Sequence, residues 1–165
     1  MQKDDFIEKL VHVNRITNVV KGGRRFGFSA LVVVGNQSGK IGIAHAKSKQ
    51  VPDAIKKAND MARRNLIQIP LREGRTIHHD VSGKDGAGKI KMRAAPKGTG
   101  IIAGGPVRAV CEVLGIKDIV AKSLGTANPH NVIRACLKAL KKQNSPKQIS
   151  IIRNKKISEI IEKRG

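Results

Sequence analysis

The chain has 165 residues, 39% of them apolar, enough for one domain or two small ones with a buried core, which excludes wholesale disorder. Its 33 Lys and Arg against 12 Asp and Glu give a net charge of +21 and a pI near 10.7. Self-repulsion at that charge works against a compact chain on its own, so the excess points to a phosphate-bearing polyanion as partner, above all nucleic acid.

Residues 9–19 alternate as a strand, with Val11, Val13, Thr17 and Val19 on one face. The turn that follows carries Lys21, Gly22, Gly23, Arg24 and Arg25, a small cationic tip whose glycines let the backbone approach a partner. It leads into the most strand-like stretch of the chain, 25–35, where Phe28, Ala30, Val32 and Val34 share a face. GNQSGK at 35–40 makes a second turn into a strand at 40–47, which completes a three-stranded meander. A helix is predicted from about Pro52, with Ile55, Ala58, Ala62, Leu66 and Ile69 at helical spacing, ended by Pro70. Its other face carries Lys56, Lys57, Arg63 and Arg64 as pairs seven apart, either an RNA contact or a merely solvated face.

LREGR at 71–75 reads as a connector between domains. Strands are expected at Thr76–Val81 and Lys89–Ala95, joined by the turn SGKDGAG. PKGTGIIAGGP is a glycine-rich crossing into a helix that starts near Pro106 and buries Val107, Val110, Cys111 and Leu114. A strand at Asp118–Leu124 leads to Asn128-Pro129, a cap and first-turn pair, and to a helix that buries Val132, Ile133, Cys136, Leu137 and Leu140. The second half thus reads ββαβα. After Ser145-Pro146 comes a basic tail, with Ile157, Ile160 and Ile161 on one side of a short helix.

The chemistry-bearing motifs fail on context. Gly83, Gly88 and Lys89 fit a phosphate loop until Ile90 replaces the Mg²⁺-binding hydroxyl and continues a strand where that motif opens a helix. Gly98, Gly100 and Ala103, with Asp118 about 20 residues on, match a dinucleotide fingerprint, but Gly104, Gly105 and Pro106 delay its helix. Arg24, Phe26, Gly27 and Phe28 match part of an RNA-recognition-motif sheet, yet Arg25 and Leu31 break it, so Phe26 and Phe28 are read as core. With three Phe and no Trp or Tyr, stacking platforms are scarce and backbone contact is favoured. His12, His45, His78, His79 and His130 are scattered, with no metal or nucleophile spacing, so neither catalytic residue nor metal is expected. Cys111 and Cys136 lack CxxC spacing and suit buried reduced thiols in a cytosolic protein. MQKDDFIEKL has no apolar h-region, and no run nears the roughly 20 apolar residues of a spanning helix, so no membrane partner is expected.

Several stretches together resemble one family, the bacterial small-subunit ribosomal protein S five. GGRRFGFSALVVVGNQSGKIGIA at 22–44, VPDAIKKANDMARRNLIQIPL at 51–71, GTGIIAGGPVRAVCEVLGIKDIVAKSLGTANPHNVIRA at 98–135 and Ser145-Pro146 carry the resemblance in order over nearly the whole chain. It weakens at 1–8 and beyond about 147, and Gly27 and His130 stand where the family more often has a hydroxyl and an apolar residue. The resemblance implies an α+β protein: an N-terminal βββα domain similar to double-stranded-RNA-binding domains, then a ββαβα domain with a left-handed βαβ crossover. The boundaries would be 1–72, 73–146 and a tail at 147–165. It further implies a non-enzymatic, cofactor-free constituent of the cytoplasmic ribosome that binds small-subunit rRNA near the decoding region and needs no homo-oligomer. Its partners would be ribosomal proteins S four and S eight, and mRNA at the entry channel. The first hairpin tip, Lys21 to Arg24, would lie by the spectinomycin site, and Gly104, Gly105 and Arg108 would form the interface that tunes accuracy. The rival readings are a free-standing double-stranded RNA- or DNA-binding module and a nucleotide-dependent enzyme.

Overall fold

The computed structural model describes residues 6–162. The ends of the first expected domain, 1–72, and of the tail, 147–165, therefore lie partly outside the described residues. The first half runs β1 (Ile7–Val20), β2 (Gly23–Gly35), β3 (Lys40–Ser48), α1 (Val51–Arg64) and β4 (Ile67–Gln68), with an antiparallel sheet in the order β1-β2-β3-β4. The second half runs β5 (Val81–Asp85), β6 (Gly88–Ala94), β7 (Ile101–Ile102), α2 (Gly105–Leu114), β8 (Ile119–Ser123) and α3 (Pro129–Lys141). Its sheet has the order β5-β6-β8-β7, and only β7 and β8 are parallel, joined across α2 as a βαβ unit. The architecture is α+β, as the resemblance implied.

The continuous apolar run of β2 has a simple cause: both of its faces are covered. Val32 and Val34 pack with Ala44 and Ala46 of β3 against Ala58 and Ala62 of α1. Leu31 and Val33 point the other way, into a cluster that holds Val110, Val113 and Leu114 of α2 and Ile133 and Leu140 of α3. One core thus runs through both halves. The 35–40 turn seals it, because Gln37 and Gly39 donate their backbone N–H groups to the Val113 and Leu114 carbonyls at the end of α2, both at 3.1 Å.

Several elements differ from expectation. The first helix stops at Arg64, and Ile69 continues its spacing only by coincidence: Ile67 pairs with Ile41 in the sheet and the Ile69 N–H reaches the Gly39 carbonyl at 2.8 Å. The strand expected at 76–81 is a loop, and the strand that pairs with β6 lies further on at 81–85, so the turn shrinks to Gly86-Ala87. Two side contacts hold that loop out of the sheet: the Gln143 side chain accepts from the His78 N–H at 3.1 Å, and His79 Nε2 accepts from the Asn144 N–H at 3.0 Å. Gly83 belongs to β5 for a spatial reason, since a Cβ there would stand 2.2 Å from the Ala135 carbonyl oxygen of α3. Two-residue β7 went unforeseen, being too short to carry a period. The tail holds two helices where one was expected, α4 (Pro146–Arg153) and α5 (Ile157–Glu162), the first begun by a Ser145–Gln148 capping box. Ile157 and Ile161 stay exposed and Ile160 is half-buried. No helix among the described residues is long and apolar enough to cross a membrane.

Candidate nucleic-acid interface

β1 and β2 pair along their whole length, from Ile7 opposite Gly35 to Val20 opposite Gly23. β3 is shorter and ends at Ser48, opposite Phe28. Beyond Phe28 the hairpin is therefore a bare two-stranded arm with no layer to bury against. This corrects the reading of Phe26 as core: it is 51% exposed, and Val19 on the neighbouring strand is 78% exposed. Phe28, at the root, is half-buried. The Arg15 guanidinium lies 4.0 Å from the centroid of the Phe26 ring, a contact that no local sequence spacing signals.

At the tip, Lys21, Gly22, Gly23, Arg24 and Arg25 are all exposed. Gly23 has φ +134°, and a Cβ at Gly22 or Gly23 would meet nothing within 4 Å, so these glycines serve the turn and outward approach, not packing. Lys21, Arg24 and Arg25 form no ion pair among the described residues, and no Asp or Glu occurs in the sequence between Glu8 and Asp53. Lys47 and Lys49, exposed where β3 runs into α1, extend this acid-free surface to the root of the arm; they were missed because they lie outside any motif. A long, thin, cationic arm without counter-charges raises the local concentration of polyanions and suits contact with phosphate.

The helix cations are not equivalent. Lys56, Lys57 and Arg64 are exposed, with no ion pair among the described residues. Arg63 donates from Nη2 to Glu8 Oε1 at 2.7 Å and lies 6.0 Å from the Phe6 ring, so it ties α1 to β1. Gly104 and Gly105 start α2 in the open, with nothing within 4 Å of a Cβ. Arg108, one turn on, donates from Nε to Glu112 Oε1 at 3.0 Å, and Glu112 also receives Lys9 of β1. Those two cations, Lys9 foremost, hold the Glu112 carboxyl below its ordinary range. Gly104, Gly105 and Arg108 do form one exposed patch, but its charge is partly cancelled.

The two nucleotide-like glycine motifs are occupied by the protein itself. Gly98 and Gly100 aim their N–H groups at Asp118 Oδ1, at 3.0 and 3.1 Å, while Arg75 grips Oδ2 from Nη2 at 2.7 Å and Nε at 3.0 Å. Asp118 is 3% exposed, and its carboxyl is held low, first by Arg75 and then by the Gly100 N–H. It knots the connector, the crossing and β8 together and leaves no ribose ligand. Gly83 to Lys89 is a β-hairpin. Both cysteines are buried and unpaired; burial pushes the Cys111 thiol up to about 12 and raises Cys136 as well, which removes them as nucleophiles. No group of His, Cys, Asp and Glu among the described residues could hold a metal ion.

Two histidines that are 85 apart in sequence meet where β3 faces α3. The His45 and His130 rings are edge to face with centroids 4.8 Å apart, and His45 Nε2 lies 2.5 Å from Ser29 Oγ. Burial lowers both pKa values, with Lys47 and Arg134 adding to His45 and His45 and Arg134 adding to His130. A free histidine titrates near 6.5, so the unfolded chain takes up these protons first. The stabilising effect of the neutral pair is therefore complete above about pH 6.5 and is lost as the pH falls through the lower folded values. Urea midpoints measured from pH 8 to 5 should fall over that window in the parent chain, and fall less in His130→Asn.

An α+β protein with an exposed cationic arm free of acidic residues is of a class suited to binding polyanions. Two family models match it, the N-terminal domain of ribosomal protein S5 at residues 6–70 and the C-terminal domain at residues 83–153. A protein of Pelagibacter ubique called small ribosomal subunit protein uS5 is 82% identical over 165 residues, covering 99% of this chain and 97% of that protein. Proteins of the same name from Nitrobacter winogradskyi and Afipia carboxidovorans are 58% and 60% identical, covering 97% and 93% of this chain and 84% and 80% of theirs. The chain belongs to the ribosomal protein S5 family. It is accordingly a structural, non-enzymatic constituent of the small subunit of the cytoplasmic ribosome, in an rRNA setting.

Proposed function

We infer that this chain grips small-subunit rRNA near the decoding region through the arm tip Lys21, Gly22, Gly23, Arg24 and Arg25, with Lys56, Lys57, Arg63 and Arg64 as a second phosphate contact. The observation that carries this is the acid-free arm: Lys21, Arg24 and Arg25 stand exposed with no counter-charge, a state that phosphates would neutralise. Within the helix face, Lys56, Lys57 and Arg64 do most of this work, since Arg63 is already paired with Glu8. Residues 1–72 act as the RNA-gripping domain, residues 73–146 as the domain that meets proteins, and the tail at 147–165 as an accessory. By family resemblance the arm tip borders the spectinomycin site, the Gly104, Gly105 and Arg108 patch is a protein interface that tunes accuracy, ribosomal proteins S four and S eight are neighbours, and basic side chains help line the mRNA entry channel. Subunit assembly depends on the same contacts.

Salt titration of binding to a small-subunit rRNA fragment tests the phosphate reading. The log–log plot should fall steeply, by roughly 0.9 per phosphate neutralised on a duplex; a flat plot would contradict it. For the second patch, Arg108→Glu should change misreading in a reporter strain while subunits still assemble, since Arg108 is exposed and its one ion pair among the described residues lies within its own helix. Unchanged misreading with normal assembly removes the accuracy role from this residue.

A further inference from the structure

The arm carries more than charge. Its register puts Arg15, Thr17 and Val19 opposite Phe28, Phe26 and Arg24, so these six side chains share one face of the ribbon. On that face an apolar patch, Phe26 and Val19, is flanked by Arg15 and Arg24. Arg15 lies against the Phe26 ring, yet half of Phe26 remains open to solvent. No other phenylalanine is placed this way: Phe6 packs against the cluster under α1, beside Arg63, and Phe28 sits at the root where β3 still pairs. A purely phosphate-binding arm has no use for an exposed ring, and an intact duplex presents only backbone and groove edges to it.

We propose that this face receives one unpaired nucleobase of the bound RNA, stacked on the Phe26–Arg15 pair, while Arg24 and Lys21 take the flanking phosphates. The proposal rests on the RNA-binding reading above and narrows it from phosphate in general to a bulged or looped nucleotide at this spot. Three features converge on that ligand. Aromatic rings and guanidinium planes are the two side-chain surfaces on which splayed-out bases stack, and here they already form one stack that a base would extend by a layer. Arg24 at the tip end of the patch, with Lys21 in the turn beyond it, supplies positive charge for the backbone of that nucleotide. The lack of Asp and Glu from residue 9 to residue 52 removes the groups that would repel it.

The test compares the full chain with Phe26→Leu on two RNA hairpins that differ by a single bulged 2-aminopurine, at fixed salt. Leucine keeps the apolar bulk and loses the π face. The parent chain should bind the bulged hairpin more tightly and change its 2-aminopurine fluorescence. Phe26→Leu should weaken the bulged complex by about 5- to 150-fold, the range for removing one base–aromatic stack, abolish the fluorescence change, and leave both the fully paired hairpin and the salt slope as they were. Phe26→Trp should restore the preference. Equal binding of both hairpins by the parent chain, or equal weakening of both by Phe26→Leu, overturns the proposal, because Phe26 would then only shape the arm or face a protein. If the parent chain binds neither hairpin, the RNA reading itself has failed; if it binds both without preference, only the stacked base has.

Discussion

Replacing Lys21 and Arg24 together with Ala is expected to weaken binding to small-subunit rRNA uniformly across sequences and to flatten the salt dependence by about 2 in log–log slope, about 1 for each phosphate no longer neutralised. The fold should not notice. Both side chains are exposed and form no ion pair among the described residues, so the change in unfolding free energy should stay within about 0.5 kcal/mol. The two readouts separate a binding tip from a structural one. Unfolding of the double variant, or an unchanged slope in a folded one, would show that the tip does not grip phosphate.

Gly115→Ala should have the opposite signature, a large loss of stability with the arm untouched. Gly115 caps α2 with φ +93°, and a Cβ would stand 2.1 Å from the Gln37 carbonyl oxygen, on the 35–40 turn that packs against the end of α2. Strain of about 1–3 kcal/mol at the backbone adds to an overpacking cost of about 1–3 kcal/mol, so the variant should lose about 2–6 kcal/mol in a urea melt. The halves share one core across this seam, through Leu31 and Val33 against Val110 and Val113. Both sheets should therefore melt together, in the parent and in the variant. Two separated transitions in the parent chain would mean that the seam is weak and the halves fold as independent units.

How much of this could be read in advance depended on the range of the signal. The β1–β2 hairpin, β3, the start of α1 at Pro52, the helix after Gly104-Gly105 and the Asn128 cap all rest on local patterns, and all stand close to where they were expected. Errors arose where a distant partner decides. Ile69 fits a helix by spacing but sits in the core beyond a strand that pairs with β3. Gly83 looks like a turn glycine until α3 is in place above it. Phe26 looks like core because strand alternation says nothing about where the third strand ends. The cationic tip was visible as a cluster of charges, whereas the pairing of Arg63 with Glu8, of Arg108 with Glu112 and of Asp118 with Arg75 was not, since each depends on tertiary contacts or on which neighbour wins. Arg15, Lys47 and Lys49 lack any motif and become candidates only because the fold gathers them along one arm.

The most direct measurement is photo-crosslinking from the arm in assembled small subunits. A chain with a photoreactive side chain in place of Arg24 is incorporated into subunits, irradiated, and its products are separated into RNA and protein adducts. Adducts with small-subunit rRNA are expected from position 24 and few or none from a control probe in place of Lys138, an exposed residue of α3 paired with Asp85 on the other sheet. Protein adducts alone from position 24, with no rRNA attached, would contradict an rRNA-gripping arm.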